Sequence, residues 1–209
     1  MQNTSHAVKA QRSEPRDSLD DFPTPPWATR ALLKHVIKDD VSGLSCLEPA
    51  CGAGHMSRTL NEYFESVKSS DVAYYGFGEL ANFLEYGEEE KYDWVITNPP
   101  FKLAEEFIQK ALRISKIGAA FLTRTTFIES VGRYQRLFNS NPPAKFAQFV
   151  ERVPMVKGRL DAKASTATGY CWLVWQHPRP EQPEITWIPP CRRALEFPTD
   201  YALGQLSLI

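Results

Sequence analysis

Short strand-like runs alternate with helical patterns along most of this chain, and that alternation limits the fold more than any other feature. Leu44–Leu47, Val67–Val72, Tyr92–Thr97 and Ile117–Leu122 read as short strands. Leu32, Leu33, Val36 and Ile37 recur at helical spacing, so a helix should run to about Lys38. Further helices are predicted through Leu60 and Phe64, over Ala104–Ile114 with Phe107, Ile108, Ala111 and Leu112 on one face, and briefly over Tyr134–Phe138. Strands alternating with helices imply right-handed crossovers and an α/β fold with a mainly parallel sheet. The last third departs from this. Phe146–Val153 and Tyr170–Trp175 have no convincing helix between them and are expected to pair as an antiparallel ribbon at the sheet edge, with Ile185–Ile188 as one more short strand.

A chain of 209 residues with 43% hydrophobic content suits one globular domain, here expected over 21–209. Residues 1–20 are polar and mixed in charge, and read as a disordered tail. Phe22-Pro23-Thr24-Pro25-Pro26-Trp27 interrupts any helix, and Thr24 is expected to cap the helix that follows. The start of the chain has no apolar signal core and no apolar run reaches membrane-spanning length, so a cytoplasmic protein without a membrane partner is expected. Cys46, Cys51, Cys171 and Cys191 lack C-x-x-C spacing, so no metal site is expected. A net charge of −1 means that any surface for nucleic acid must be local.

Two segments carry chemistry. Glu48-Pro49-Ala50-Cys51-Gly52-Ala53-Gly54 follows a strand and opens a helix, a place where glycines let backbone approach a ligand. Glu48 at one strand end and Asp71 at the next could accept hydrogen bonds from a ribose diol. Ser57 stands where a dinucleotide fingerprint needs its third glycine, which argues against a nicotinamide cofactor. Asn98-Pro99-Pro100-Phe101 ends the strand Trp94–Thr97. Its prolines stiffen the backbone and remove two donors, leaving the Asn98 side-chain oxygen and the Pro99 carbonyl as acceptors. Two acceptors can hold both protons of a conjugated amino group and stabilise the positive charge that develops as nitrogen attacks a methyl carbon. Phe101 offers a face on which a planar substrate can stack.

These motifs resemble those of amino-methyltransferases of the class I, Rossmann-like, S-adenosylmethionine-dependent type, and among them DNA adenine-N6 methyltransferases of small phage and prophage kind. The resemblance covers about residues 20 to 176. It implies S-adenosylmethionine as cofactor, with Thr24, Pro25 and Trp27 near its methionine end. It implies Glu48, Pro49, Ala50, Cys51, Gly52 and Gly54 as the glycine motif, Asp71 as ribose contact, and Asn82-Phe83-Leu84 at the adenine ring. Asn82 stands where the family has Asp, so its contact would be a neutral hydrogen bond. Asn98, Pro99, Pro100 and Phe101 would be catalytic. Family topology would also place the 154–166 loop near the catalytic mouth.

Lys157, Arg159 and Lys163, with Arg124 and Arg133 as further candidates, could hold phosphates of a DNA substrate. His55, beside the glycine turn, is given no acid–base role. Only about 33 residues follow Gln176, too few for a recognition domain, so selectivity is low or comes from the 154–166 loop, a second copy of the chain or an accessory partner. Two readings compete with DNA methylation. Methyl transfer to RNA adenine or to a protein glutamine uses similar tetrads, usually with Tyr in the Phe101 position. A catalytically idle module that binds nucleic acid or a partner would keep the fold without turnover.

Overall fold

The structure, a computed structural model, describes residues 20–85 and 87–205. The expected tail therefore lies outside the described residues up to residue 19. One sheet of eight strands runs through the molecule in the order β3-β2-β1-β4-β5-β7-β6-β8. Its strands are β1 (Ser45–Glu48), β2 (Ser66–Asp71), β3 (Glu79–Leu80), β4 (Tyr92–Thr97), β5 (Ser115–Arg124), β6 (Lys145–Phe149), β7 (Tyr170–Gln176) and β8 (Glu184–Ile188). The β1–β2, β2–β3, β1–β4 and β4–β5 pairs are parallel. β7 runs antiparallel between β5 and β6, the predicted ribbon, and β8 pairs parallel with β6 outside it.

Alternation of side chains along the central strands sorts the core into two layers. Cys46, Trp94, Ile96, Ala120, Leu122 and Trp172 face α1 (Pro26–Ala31) and α2 (His55–Leu60). Leu47, Val95, Phe121 and Leu173 face α3 (Ala104–Ile114), whose Phe107, Ile108 and Ala111 are buried. Gly118 of β5 is what lets Trp94 pack flush: a Cβ there would lie 2.8 Å from the Trp94 ring and 2.5 Å from the Trp175 carbonyl.

The first helix keeps its expected extent but differs in construction. α1 passes into a wider, π-type turn over Leu32–Ile37, closed by Lys38 with φ of 64°. Thr24 does not cap it. Pro25 holds that position without a side-chain hydrogen bond, and Thr24 is buried with its hydroxyl 4.0 Å from the Met155 sulfur. The prolines remove donors that a cap would serve, so the hydroxyl is left free to pack inward. The strand expected over Phe146–Val153 stops at Phe149, and the one expected at Ile117–Leu122 extends at both ends.

Candidate active site

β1, β2, β4 and β5 are parallel, so their carboxyl ends, at Glu48, Asp71, Thr97 and Arg124, lie along one rim of the sheet. Open parallel sheets bind ligands at this rim. A cavity of about 210 Å³ opens there, lined by the segments 20–24, 48–53 with His55 and Met56, by Asp71, Val72 and Tyr75, by 82–84, and by Asn98 and Pro100. The glycine turn bends beneath it. The Gly52 and Ala73 amides both donate to the Asp71 carboxylate, at 2.9 and 3.1 Å. Gly54 sits at φ 80° with the Phe77 ring against it, where a Cβ would approach the ring to 2.3 Å.

Charge in this cavity is one-sided. Asp20, Asp21, Glu48 and Asp71 line it, with no lysine or arginine among the described lining residues. Glu48 is buried and accepts a hydrogen bond from the Ser57 hydroxyl, which in turn accepts from Ser69 at 2.7 Å. Burial, with the Asp71 charge added, pushes the Glu48 pKa up to about 8 against the opposing hydrogen bond from Ser57. Burial and Asp71 also raise Asp21, which Lys157 partly offsets. Burial, with Arg58 nearby, lowers His55 to about 4, so its imidazole is neutral at ordinary pH.

The segment before α1 forms a strap over the rim. The Phe101 amide donates to the Asp20 carboxylate at 3.1 Å, the Gly158 amide to the Asp21 carbonyl at 2.8 Å, and the Asn98 Nδ2 to the Phe22 carbonyl at 2.8 Å. A carbonyl can only accept, so this last bond fixes which way the Asn98 amide turns. Its oxygen is left buried with no donor among the described residues.

The tetrad divides between two cavities. Asn98 and Pro100 line the first. Pro99 and Phe101 line a second of about 160 Å³, together with Ala104, Leu122, Thr123, Arg124, Thr126, Phe127 and Arg133. The Phe101 ring packs against Phe22 at 5.4 Å between centroids and carries the Arg124 guanidinium 4.0 Å from its centre. The face expected to take a planar substrate is thus covered by a planar cation.

Ten of the residues predicted around a cofactor line the first cavity: Thr24, Glu48, Pro49, Ala50, Cys51, Gly52, Asp71, Asn82, Phe83 and Leu84. Pro25 and Gly54 do not line it, and Trp27 is fully buried in the core with its ring edge against Phe149 at 5.7 Å. Asn82 closes its own turn, accepting from the Leu84 amide at 3.1 Å and donating to Glu85 at 2.8 Å. Of the phosphate candidates, Arg124 lines the second cavity and Lys157 lies close enough to Asp21 to influence its charge. Arg159 and Lys163 line neither cavity and are exposed; Arg159 is 3.4 Å from Asp161. The sequence reading did not identify Asp20, Asp21 or Tyr75 as lining residues. Asp20 falls in the expected tail and Asp21 at the first position of the expected domain, and only contacts with Phe101 and Gly158 distinguish them.

No protein-family model matches the sequence, and no curated protein does. Solved structures share the fold at low identity. A modification subunit of a provisionally assigned type I restriction enzyme from Vibrio vulnificus is 18% identical with a TM-score of 0.58, over 90% of this chain and 53% of that one. The chain thus spans about half that subunit's length. A provisionally assigned RNA methyltransferase from Pyrococcus horikoshii is 18% identical with a TM-score of 0.56, over 78% of this chain and 90% of that one. A provisionally assigned class I S-adenosylmethionine-dependent methyltransferase from Listeria monocytogenes is 15% identical with a TM-score of 0.52, over 86% and 67%. The fold is that of class I methyltransferases, Rossmann-like, mostly parallel with an antiparallel β5-β7-β6 arrangement.

Proposed function

We propose that this chain is an S-adenosylmethionine-dependent methyltransferase that modifies an exocyclic amino group, N6 of adenine in DNA. The observation that carries the reading is the Asn98 amide oxygen, buried and without a donor beside a cavity of one-sided negative charge. An orphan acceptor in a buried site is costly, and a ligand donor would relieve it.

The first cavity fits this cofactor in both shape of contact and charge. S-adenosylmethionine supplies a methyl group on a sulfonium, which leaves as a neutral thioether when the new nitrogen–carbon bond forms. Asp71, held by the Gly52 and Ala73 amides, is placed to accept from a ribose diol. Phe83 and Leu84 offer apolar surface to an adenine ring. Asp20, Asp21 and Asp71 favour a ligand of net positive charge and disfavour a pyrophosphate, in keeping with the missing third glycine.

Where the two cavities meet, Asn98 Oδ1 and the Pro99 carbonyl accept the two protons of the amine and offset the charge that builds on nitrogen. Phe101 stacks the base, which in a duplex must first leave the helix at a cost of a few kcal/mol. No base is asked of the protein, since the methylated nitrogen loses its extra proton to water; His55, lowered to about 4, is a weak base.

The test is transfer of labelled methyl to separate pools of DNA, RNA and protein by the wild type and Asn98→Ala. Label is expected as N6-methyladenine in DNA, falling about 10²–10³-fold in the variant, with cofactor affinity retained. Equal loss of transfer and cofactor affinity would make Asn98 structural, and label confined to RNA or protein would displace DNA as the substrate.

A further inference from the structure

Most arginines that approach a carboxylate in this molecule are neutralised by it. Arg30 meets Glu62 and Asp200, Arg113 meets Glu88, Arg136 meets Glu105 and Arg192 meets Glu196. Arg124 and Arg133 are different. Each guanidinium lies over a phenylalanine ring, at 4.0 Å from Phe101 and 4.3 Å from Phe127. Arg133 also donates to the Phe127 carbonyl at 2.9 Å, and the Arg124 charge partly offsets the rise that burial gives the Tyr170 pKa. Neither makes an ion pair among the described residues. Glu105, which feels the Arg133 charge, is taken by two 2.7 Å bonds from Arg136.

Both arginines line the second cavity, whose described lining contains no carboxylate. Guanidinium groups suit phosphate because their fork of donors can engage two of its oxygens at once. Next to the cavity in the chain, Ile128, Val131 and Tyr134 are exposed, apolar side chains interleaved with Arg133 and Arg136. Such a surface is suited to unstacked bases and a phosphate backbone together.

We propose that the second cavity takes a base together with a phosphodiester of the same strand, the base on Phe101 and the phosphate on Arg124 and Arg133. This rests on the methyltransferase reading and adds a recognition element to it: the substrate is a polynucleotide because the amine site is flanked by an anion site. An entering ring needs the face of Phe101 that Arg124 now covers. Guanidinium and base therefore exchange places, and the phosphate holds the displaced side chain.

The test is fluorescence anisotropy of labelled single-stranded DNA and RNA of matched sequence, over a range of NaCl. It uses the wild type, the double variant Arg124→Gln/Arg133→Gln and the double variant Arg124→Lys/Arg133→Lys. The glutamine pair should weaken binding of at least one polynucleotide and flatten the slope of log Kd against log salt by about one to two. The lysine pair should keep the slope, and neither should change the melting temperature or the affinity for S-adenosylhomocysteine. Unchanged Kd and slope in the glutamine pair overturn the proposal, as does transfer by the wild type to protein alone. Absence of cofactor binding and of transfer in the wild type would instead sink the methyltransferase reading, while the anisotropy still scores the two arginines.

Discussion

The two cavities that meet at Asn98-Pro99-Pro100-Phe101 have opposite chemistry. The first is lined by four carboxylates and the second by two arginines, while the tetrad between them carries no charge. A neutral wall keeps acid from pairing with base, so each side holds its charge for a ligand. Without ligands both sides bear a cost. Burial and the Asp71 charge make Glu48 and Asp21 resist ionisation, and the guanidiniums rest on aromatic rings instead of anions. A cation on one side and an anion on the other would relieve both. The lesson is that charge left unneutralised near a rim can indicate a ligand as clearly as a motif does.

The largest effect expected from this arrangement is at Glu48. Its folded pKa is raised to about 8, so the native state holds this proton where the unfolded chain releases it. Stability should therefore fall as pH rises from the ordinary Glu range to about 8, by about 1.4 kcal/mol per pH unit at the steepest, and level off above. Glu48→Gln removes the titration. Thermal melts of the ligand-free proteins should coincide near pH 5 and favour the variant on the order of a few kcal/mol at pH 9. Added S-adenosylmethionine should stabilise the wild type more at pH 9 than at pH 6, since a cation favours the ionised form. Parallel wild-type and variant curves would show that Glu48 is not held protonated, and the first cavity would lose much of its stored cost.

Asp71 tests the separation of the two sides. Asp71→Ala removes an acceptor for a ribose diol and should weaken cofactor binding by about 1.5–3 kcal/mol, as for other hydrogen bonds to a charged group. Calorimetry would measure this, with anisotropy showing polynucleotide affinity unchanged. The arginine variants should do the reverse. A variant on either side that weakened both ligands equally would mean that the cavities act as one site and that the charge contrast has no functional meaning. Because the Asp71 carboxylate also braces the Gly52 and Ala73 amides, the melting temperature must accompany the measurement.

Much of the first side could be read from the sequence, and less of the second. Local patterns sufficed for α3, whose apolar stripe returns at helical spacing, and for β4, whose apolar run ends at two prolines. They sufficed also for Glu48 and Asp71, because a strand end before a glycine turn is a local event. Thr24 misled because a cap is a local rule and its burial under Met155 is not. Asp20 could not be placed, since its partner, the Phe101 amide, is 81 residues away. The stacking of Arg124 on Phe101 and of Arg133 on Phe127 depends on how β5 and the following turn lie beside the tetrad, which no spacing encodes. Arg133 also shows what charge alone cannot decide: in sequence it is one of five basic candidates for phosphate, and its seat on Phe127 is what sets it apart.

The smallest expected effect is in the 154–166 loop, which sharpens the contrast among the basic residues. Its position is set by backbone, through the Gly158 amide on Asp21 and an Arg192 bond to the Ala162 carbonyl at 2.6 Å. Asp161 turns inward on the loop itself, taking the Lys163 amide at 2.9 Å and approaching the Arg159 guanidinium. Arg159 and Lys163 are exposed and line neither cavity, so water and salt screen them. Arg159→Ala and Lys163→Ala should each change polynucleotide affinity by less than about 0.5 kcal/mol, a shift readable by the same anisotropy titration. Losses equal to those of Arg124 and Arg133 would move the phosphate contacts out to the loop, and the second cavity would then recognise the base alone.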